Sequence, residues 1–277
     1  MRLTETPVLT VRGLTVRYGD GCPACGTSLE KNRCTACGTV WALRNVSLEL
    51  FPGEVLGIVG ESGSGKSTLM KSLYFDLTPT EGTARLRDYR DGGASIWEAS
   101  GAERRMIKNL LMGMVYQNPV LGLRMDFSAA SNIAEKLIAA ENRNAAKMTG
   151  RVTELLDAVE ILTSRMGEAP KNFSGGMQQR VQISKALANN PALLLLDEVT
   201  TGLDLSVQAK VLDLIRKIKA RYGVSILLVS HDLAVIRMLA DRTIVMLDGQ
   251  IVEIGLTDQI LEDPQHPYTQ QLVHSLI

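Results

Sequence analysis

Residues 8–18, Val-Leu-Thr-Val-Arg-Gly-Leu-Thr-Val-Arg-Tyr, alternate in the manner of a β-strand. Residues 20–39 break that pattern with glycine, proline and cysteine, and strand-like sequence resumes at Leu48-Glu49-Leu50. Pro52-Gly53 marks a turn, and the apolar run Val55 to Val59 follows it. Between 83 and 130 the pattern is mixed, with one strand candidate at Gly113-Met114-Val115-Tyr116. Val152, Leu155, Leu156 and Val159 fall at helical spacing. Ser174 can cap a helix from Gly175 to about Ala188, stopped by Asn189-Asn190-Pro191. Leu193 to Leu196 is a continuous apolar run, the pattern of a parallel strand buried on both faces. Val211, Leu214, Ile215 and Ile218 mark a further amphipathic helix, and Ile226 to Val229 a second buried strand. Strands alternating with helices predict a parallel α/β core, with the β-rich start and the helical middle attached to it. No internal repeat is visible.

The chain has 277 residues, 45% of them hydrophobic, enough for a sizeable core. Lys+Arg and Asp+Glu are both 30, so the net charge is zero and nothing calls for a nucleic acid or an anionic membrane. The apolar run at Ala192 to Leu196 is far too short to cross a bilayer. Met1-Arg2-Leu3-Thr4-Glu5 leads into strand-like sequence without an apolar signal segment. The expectation is a cytoplasmic protein with no direct membrane insertion, reaching a membrane only through a partner.

Candidate chemistry begins at Gly60-Glu61-Ser62-Gly63-Ser64-Gly65-Lys66-Ser67, which matches the phosphate-binding P-loop G-x-x-x-x-G-K-[ST]. An apolar strand precedes it, and Thr68-Leu69-Met70-Lys71-Ser72-Leu73 reads as a helix start. Glycines let the backbone close around phosphate, while the amides and the helix N-terminus supply positive potential. The backbone from Gly60 through Ser62, Gly63, Gly65 and Thr68 is the expected cradle. Lys66 is expected on the β- and γ-phosphates and Ser67 on Mg²⁺. Asp197 and Glu198 end the buried strand, at the edge where α/β sheets gather ligands. Asp197 suits Mg²⁺, directly or through water. Glu198 suits a general base acting on water. Taken alone, the pair would read better as strand-end acids facing solvent; the P-loop upstream favours the nucleotide site.

Phe173-Ser174-Gly175-Gly176-Met177-Gln178-Gln179-Arg180 sets a serine and bare amides at a helix N-terminus, an arrangement built to hold an anion. Here the chain resembles the ATP-binding-cassette (ABC) ATPases. The resemblance covers nearly the whole chain. It implies an ABC nucleotide-binding domain over residues 1–277: a parallel-sheet P-loop core, an antiparallel β subdomain and a helical subdomain at 118–180. It implies that Ser174, Gly175 and Gly176 meet the γ-phosphate bound to an opposite subunit, hence a homodimer or an ABC heterodimer on ATP binding. It further implies Tyr18 stacked on adenine and Gln117 near metal and water. Asp204 would lie in a loop crossing the dimer interface, and His231 near the γ-phosphate. ATP and Mg²⁺ follow as cofactors. Val199 stands where the family usually has proline, and Met177 where many members have glutamine. Neither change removes a catalytic group.

The tail from Thr257 to Thr269, containing Asp263-Pro264-Gln265-His266-Pro267-Tyr268, resembles that of peptide-importer ATPases and of ATP-binding subunits of the carbon–phosphorus lyase system. Asn118-Pro119-Val120-Leu121-Gly122-Leu123-Arg124 and Asn132-Ile133-Ala134-Glu135 favour the latter. That resemblance implies an ATPase that docks on a soluble phosphonate-degrading core complex and drives its conformational change, with residues 118–172 as the docking surface. An importer ATPase and a DNA-associated ABC ATPase remain alternatives.

All four cysteines lie in Cys22-Pro-Ala-Cys25-Gly and Cys34-Thr-Ala-Cys37-Gly, two C-x-x-C-G knuckles with eight residues between them. In a cytosolic chain this clustering favours metal over disulfides. The pair reads as a four-cysteine zinc ribbon over residues 20–39, with iron, disulfides or free thiols as alternatives. About twenty residues cannot build a core, so metal would supply the folding energy. Asp20 and Glu30 balance Lys31 and Arg33, so the loop has no basic bias towards nucleic acid. A structural clip or a protein-docking knob is expected. Because the P-loop lies on a separate core, ATP binding is expected largely to survive loss of the metal.

Overall fold

The structure is a computed structural model that describes residues 6–141 and 144–274. The leader reading at Met1 to Glu5 lies outside the described residues. The chain divides into two compact units, residues 1–99 with 228–277, and residues 100–227.

In the first unit the alternating segments become long strands. β1 (Leu9–Tyr18) is followed by two short strands, β2 (Leu29–Glu30) and β3 (Arg33–Cys34), and by β4 (Val40–Leu50). β5 (Val55–Val59) is buried along its whole length and runs into the glycine loop and α1 (Lys66–Leu73). β6 (Glu81–Leu86) completes an antiparallel sheet of order β2-β3-β4-β1-β6. Its register sets Leu9 opposite Leu50 and Tyr18 opposite Val40.

The second unit opens with α2 (Gly101–Met106), a π-helical turn at Ile107–Leu111, and β7 (Met112–Val115). Four helices follow: α3 (Pro119–Gly122), α4 (Ala129–Ala139), α5 (Ala145–Ala158) and α6 (Gly175–Ala186). β8 (Leu193–Asp197) lies parallel to β7, with Met112 opposite Leu193 and Val115 opposite Leu196. Leu193 to Leu196 are each at most 1% exposed. Burying one such leucine contributes about 1.5–3 kcal/mol, so this strand anchors the unit. α7 (Leu205–Tyr222) turns through Gly223 into β9 (Ser225–Val229), which starts in the second unit and ends in the first.

Returning to the first unit, the chain forms α8 (Leu233–Leu239), β10 (Arg242–Leu247), β11 (Gln250–Leu256), α9 (Thr257–Glu262) and α10 (Pro267–His274). β10 lies parallel to β5 and antiparallel to β11.

Most predicted strands and helices agree with the structure to within one or two residues, but β4 begins at Val40, eight residues before the strand-like sequence at Leu48. Helix α6 ends at Ala186 rather than Ala188, and the strand read at 113–116 begins and ends one residue earlier. Besides that strand, the mixed segment 83–130 holds most of β6, with α2 and α3. Helix α4 escaped the periodicity search because its buried position 132 is asparagine. The Asn132 side chain accepts from the Arg124 amide at 2.8 Å and donates to the carbonyls of Arg124, Phe127 and Ser128. A fully satisfied polar group takes a place in the apolar stripe. No described helix is long and apolar enough to cross a membrane.

Candidate functional site

The first unit carries the P-loop. Gly65 precedes α1 at φ +104, and a Cβ there would lie 2.4 Å from the Ala42 carbonyl oxygen, so only glycine fits. Lys66 is buried, and its Nζ donates to the carbonyls of Gly60 at 2.7 Å and Glu61 at 2.8 Å. A cationic head folded against a glycine loop at a helix N-terminus is a donor set for an anion. The structure adds one contact to the loop: the Glu61 amide donates to the Tyr268 hydroxyl at 2.8 Å. Tyr268 belongs to α10, whose approach is fixed by Glu253 accepting the amides of Gln265 and His266. The tail motif was legible in sequence, its contact with the P-loop was not. Tyr18 ends β1 with 49% of its surface exposed, leaving an aromatic face open to stacking. His231 is exposed two residues after β9, where Asp232 caps α8 by accepting the Ala234 amide at 2.8 Å.

The second unit carries the acids. Asp197 closes β8 and is buried. Glu198 sits at φ +47, a left-handed conformation that costs a non-glycine residue energy. Gln117 Nε2 donates to its carboxylate at 3.0 Å, and the Thr201 hydroxyl donates at 3.2 Å. Val199, at the position where proline was expected, is buried at 1% exposure, so the strand exit is packed without proline.

Two buried glutamines of α6 hold the segment that presents Gln117. Gln182 Oε1 accepts the Tyr116 amide at 2.9 Å and its Nε2 donates to the Tyr116 carbonyl at 3.1 Å. Gln179 Nε2 donates to the Gln117 carbonyl at 3.1 Å, and Gln182 Nε2 also donates to Gln179 Oε1 at 2.8 Å. Sequence reading gave these two residues no role. A polar residue at a buried helical position was the available signal. Ser174 caps the same helix by accepting the Met177 amide at 3.4 Å, with Gly175 and Gly176 beginning its first turn. Asp204 caps α7: its carboxylate accepts from the Val207 amide at 3.0 Å and the Ser206 hydroxyl at 2.8 Å. Those bonds, the Val207 amide first, hold its carboxyl below the usual range.

The four cysteines converge in the first unit, their sulfurs all within 4.8 Å of one another. Cys22 lies 3.9 Å from Cys25 and 3.8 Å from Cys34, and Cys25 lies 3.5 Å from Cys37. Tetrahedral thiolates on zinc, with Zn–S near 2.3 Å, stand about 3.75 Å apart, whereas a disulfide needs about 2.05 Å. The Cys22 amide donates to Cys25 Sγ at 3.2 Å. The Thr39 hydroxyl, then its amide, pull the Cys37 thiol down to about 6. Cys37 in turn, ahead of burial, pushes Cys22 up to about 12. Four cysteine sulfurs clustered at this spacing are a donor set compatible with zinc.

The sequence profile of the ABC transporter family matches residues 43–201. PhnK of Escherichia coli (strain K12), named for phosphonates utilization and ATP binding, is 47% identical over 233 residues, covering 84% of this chain and 90% of that protein. The oligopeptide transport ATP-binding protein OppD of Bacillus subtilis (strain 168) is 39% identical over 241 residues, 86% of this chain and 67% of its own. Among solved structures, a dimeric ATP-binding cassette in a post-hydrolysis state with ADP and Pi is similar at TM-score 0.75 and 28% identity, covering 90% of this chain and 98% of its own. With a P-loop in one unit and the strand-end acids and Ser-Gly-Gly cap in the other, the chain belongs to the ABC transporter family, as an ATPase subunit with the ABC nucleotide-binding fold.

Proposed function

We propose that this protein binds and hydrolyses ATP as a dimer and drives conformational change in the carbon–phosphorus lyase core complex during phosphonate breakdown, in the cytoplasm. The observation that carries this reading is the 47% identity to PhnK across 90% of that protein's length. In the chemistry we assign, the amides from Gly60 to Thr68 and Lys66 hold the phosphates. Tyr18 stacks on adenine. Glu198 accepts the proton of the attacking water, and Gln117 and Thr201 hold its carboxylate in place. His231 steadies the γ-phosphate. Ser67, Gln117 and Asp197 would hold Mg²⁺, which would supply charge neutralisation on the phosphates. Ser174, Gly175 and Gly176 face the γ-phosphate of a partner subunit, and Asp204 lies beside them at the dimer interface. The dimeric solved cassette with ADP and Pi supports the paired arrangement. Zinc at Cys22, Cys25, Cys34 and Cys37 completes the cofactors.

The docking surface we assign, residues 118–172, contains a groove of about 290 Å³ lined by Arg124, Phe127, Ser131, Glu135 and Ile138 among others. Phe127 and Ile138 are more than half exposed. Arg124 lies over the Phe127 ring and pairs with Glu135 at 3.3 Å. Glu135 also holds Lys185 of α6 at 2.8 Å, so changing it would disturb the helical packing. Arg124 is the cleaner probe. An ATPase of a peptide importer is the second reading, supported by the 39% identity to OppD. The test is isolation of the tagged protein from cells using a phosphonate as sole phosphorus source. Co-isolation of a soluble core complex, weakened by Arg124→Glu with basal ATPase activity retained, supports the lyase reading. Recovery with membrane permeases, or with nucleic acid, and normal growth of a deletion strain on phosphonate would overturn it.

A further inference from the structure

The cysteine insert is built into the sheet that carries Tyr18. Its hairpin β2–β3 extends that sheet in the order β2-β3-β4-β1. The second knuckle leads through Thr39 into β4, where Val40 is the register partner of Tyr18. Thr39 is buried and joins the two sites. Its hydroxyl accepts the Gly21 amide at 3.1 Å and lies 3.2 Å from Cys37 Sγ, and its carbonyl accepts the Cys34 amide at 2.8 Å. Gly19, directly after Tyr18, has φ +112, and a Cβ there would stand 2.8 Å from Thr39 Oγ1. The chain leaving Tyr18 therefore closes onto the residue that the second knuckle positions. Between 19 and 39 only Cys25, Cys34 and Thr39 are buried. The insert has no apolar core, so beyond the backbone hydrogen bonds of its short strands the sulfur cluster is what ties its two knuckles together beside the end of the β1–β4 pair.

We propose that metal bound by the four cysteines fixes Tyr18 for the adenine ring, so that metal occupancy sets the affinity of the cassette for ATP. This rests on the assignment of Tyr18 to adenine and of the cysteines to zinc made above. It qualifies the expectation that ATP binding would largely survive loss of the metal: the insert is separate from the P-loop but shares its sheet with Tyr18. The effect is confined to the base, because the phosphates are held by the loop between Gly60 and Ser67. Coupling between two ligands is reciprocal, so ATP must tighten zinc by the factor by which zinc tightens ATP.

The test compares metal-loaded protein with protein stripped by a chelator under reducing conditions, using calorimetric titration with ATP, inorganic triphosphate and zinc. Stripping should weaken ATP about tenfold, the scale of one base–aromatic stack, and leave inorganic triphosphate unchanged. Saturating ATP should tighten zinc about tenfold. Thr39→Val keeps all four ligands; it should retain zinc and still weaken ATP several-fold. Equal ATP affinity in loaded and stripped protein, with Tyr18→Ala lowering it, would overturn the coupling and leave the ATPase reading intact. Loss of triphosphate binding together with ATP would mean general unfolding, and would overturn it too. Absence of zinc uptake, or Tyr18→Ala binding ATP normally, removes one of the two assignments and the proposal with it.

Discussion

Glu198 combines a left-handed backbone with two hydrogen bonds to its carboxylate, from Gln117 and Thr201. The backbone conformation aims the side chain and the two donors limit its rotation, as a base that must meet one water molecule requires. Glu198→Gln keeps the size and removes the proton acceptor. Turnover should fall by about 10²–10⁴-fold with ATP affinity retained, and an ATP-bound dimer should accumulate on size exclusion. Wild-type turnover in the variant would remove Glu198 from the role of base. The acid itself was legible from its place after four leucines. Its strained backbone was not, because a positive φ at a non-glycine residue leaves no mark in a sequence.

At the scale of elements, α6 does two jobs. Its first turn presents Ser174, Gly175 and Gly176, and one turn later Gln179 and Gln182 hold the main chain of Tyr116 and Gln117. Gln182→Leu removes the side chain that bonds both the amide and the carbonyl of half-buried Tyr116, at a cost of about 1–3 kcal/mol. We expect lowered thermal stability and a kcat reduced at least tenfold with ATP affinity unchanged; steady-state kinetics beside equilibrium binding would separate these. Unaltered kcat would show that Gln117 is positioned by something else. The C-terminal tail makes a smaller contribution. Tyr268→Phe removes one hydroxyl from the Glu61 amide while keeping the ring, and a net hydrogen bond is worth about 0.5–1.5 kcal/mol. ATP should bind about two- to tenfold more weakly, with the melting temperature almost unmoved. No change in a nucleotide titration would confine Tyr268 to packing. Neither link was readable in advance, since each joins residues more than sixty positions apart.

For the whole molecule, the assignments above require two copies. Ser174 caps α6 without being buried, so its side chain can change while the helix persists. Ser174→Arg should leave ATP binding to each monomer intact and block closure of the dimer, because the added bulk and charge occupy the place assigned to the partner's γ-phosphate. ATPase activity should drop to background while a nucleotide titration stays normal. Full activity in the pure variant would refute a composite site.

The α/β class, the P-loop, the strand-end acids, the Ser-Gly-Gly cap and the two cysteine knuckles were all written locally. Each depends on short spacing or on the period of apolar residues, and a dozen neighbouring residues suffice to state it. Folding decided how those pieces are held. The conformation of Glu198, the grip of Gln179 and Gln182 on Tyr116 and Gln117, the tyrosine on the P-loop, and Thr39 between the cysteines and Tyr18 all arise when distant segments pack. A buried polar group must find its partner wherever the chain brings one. Sequence order does not disclose which partner that is.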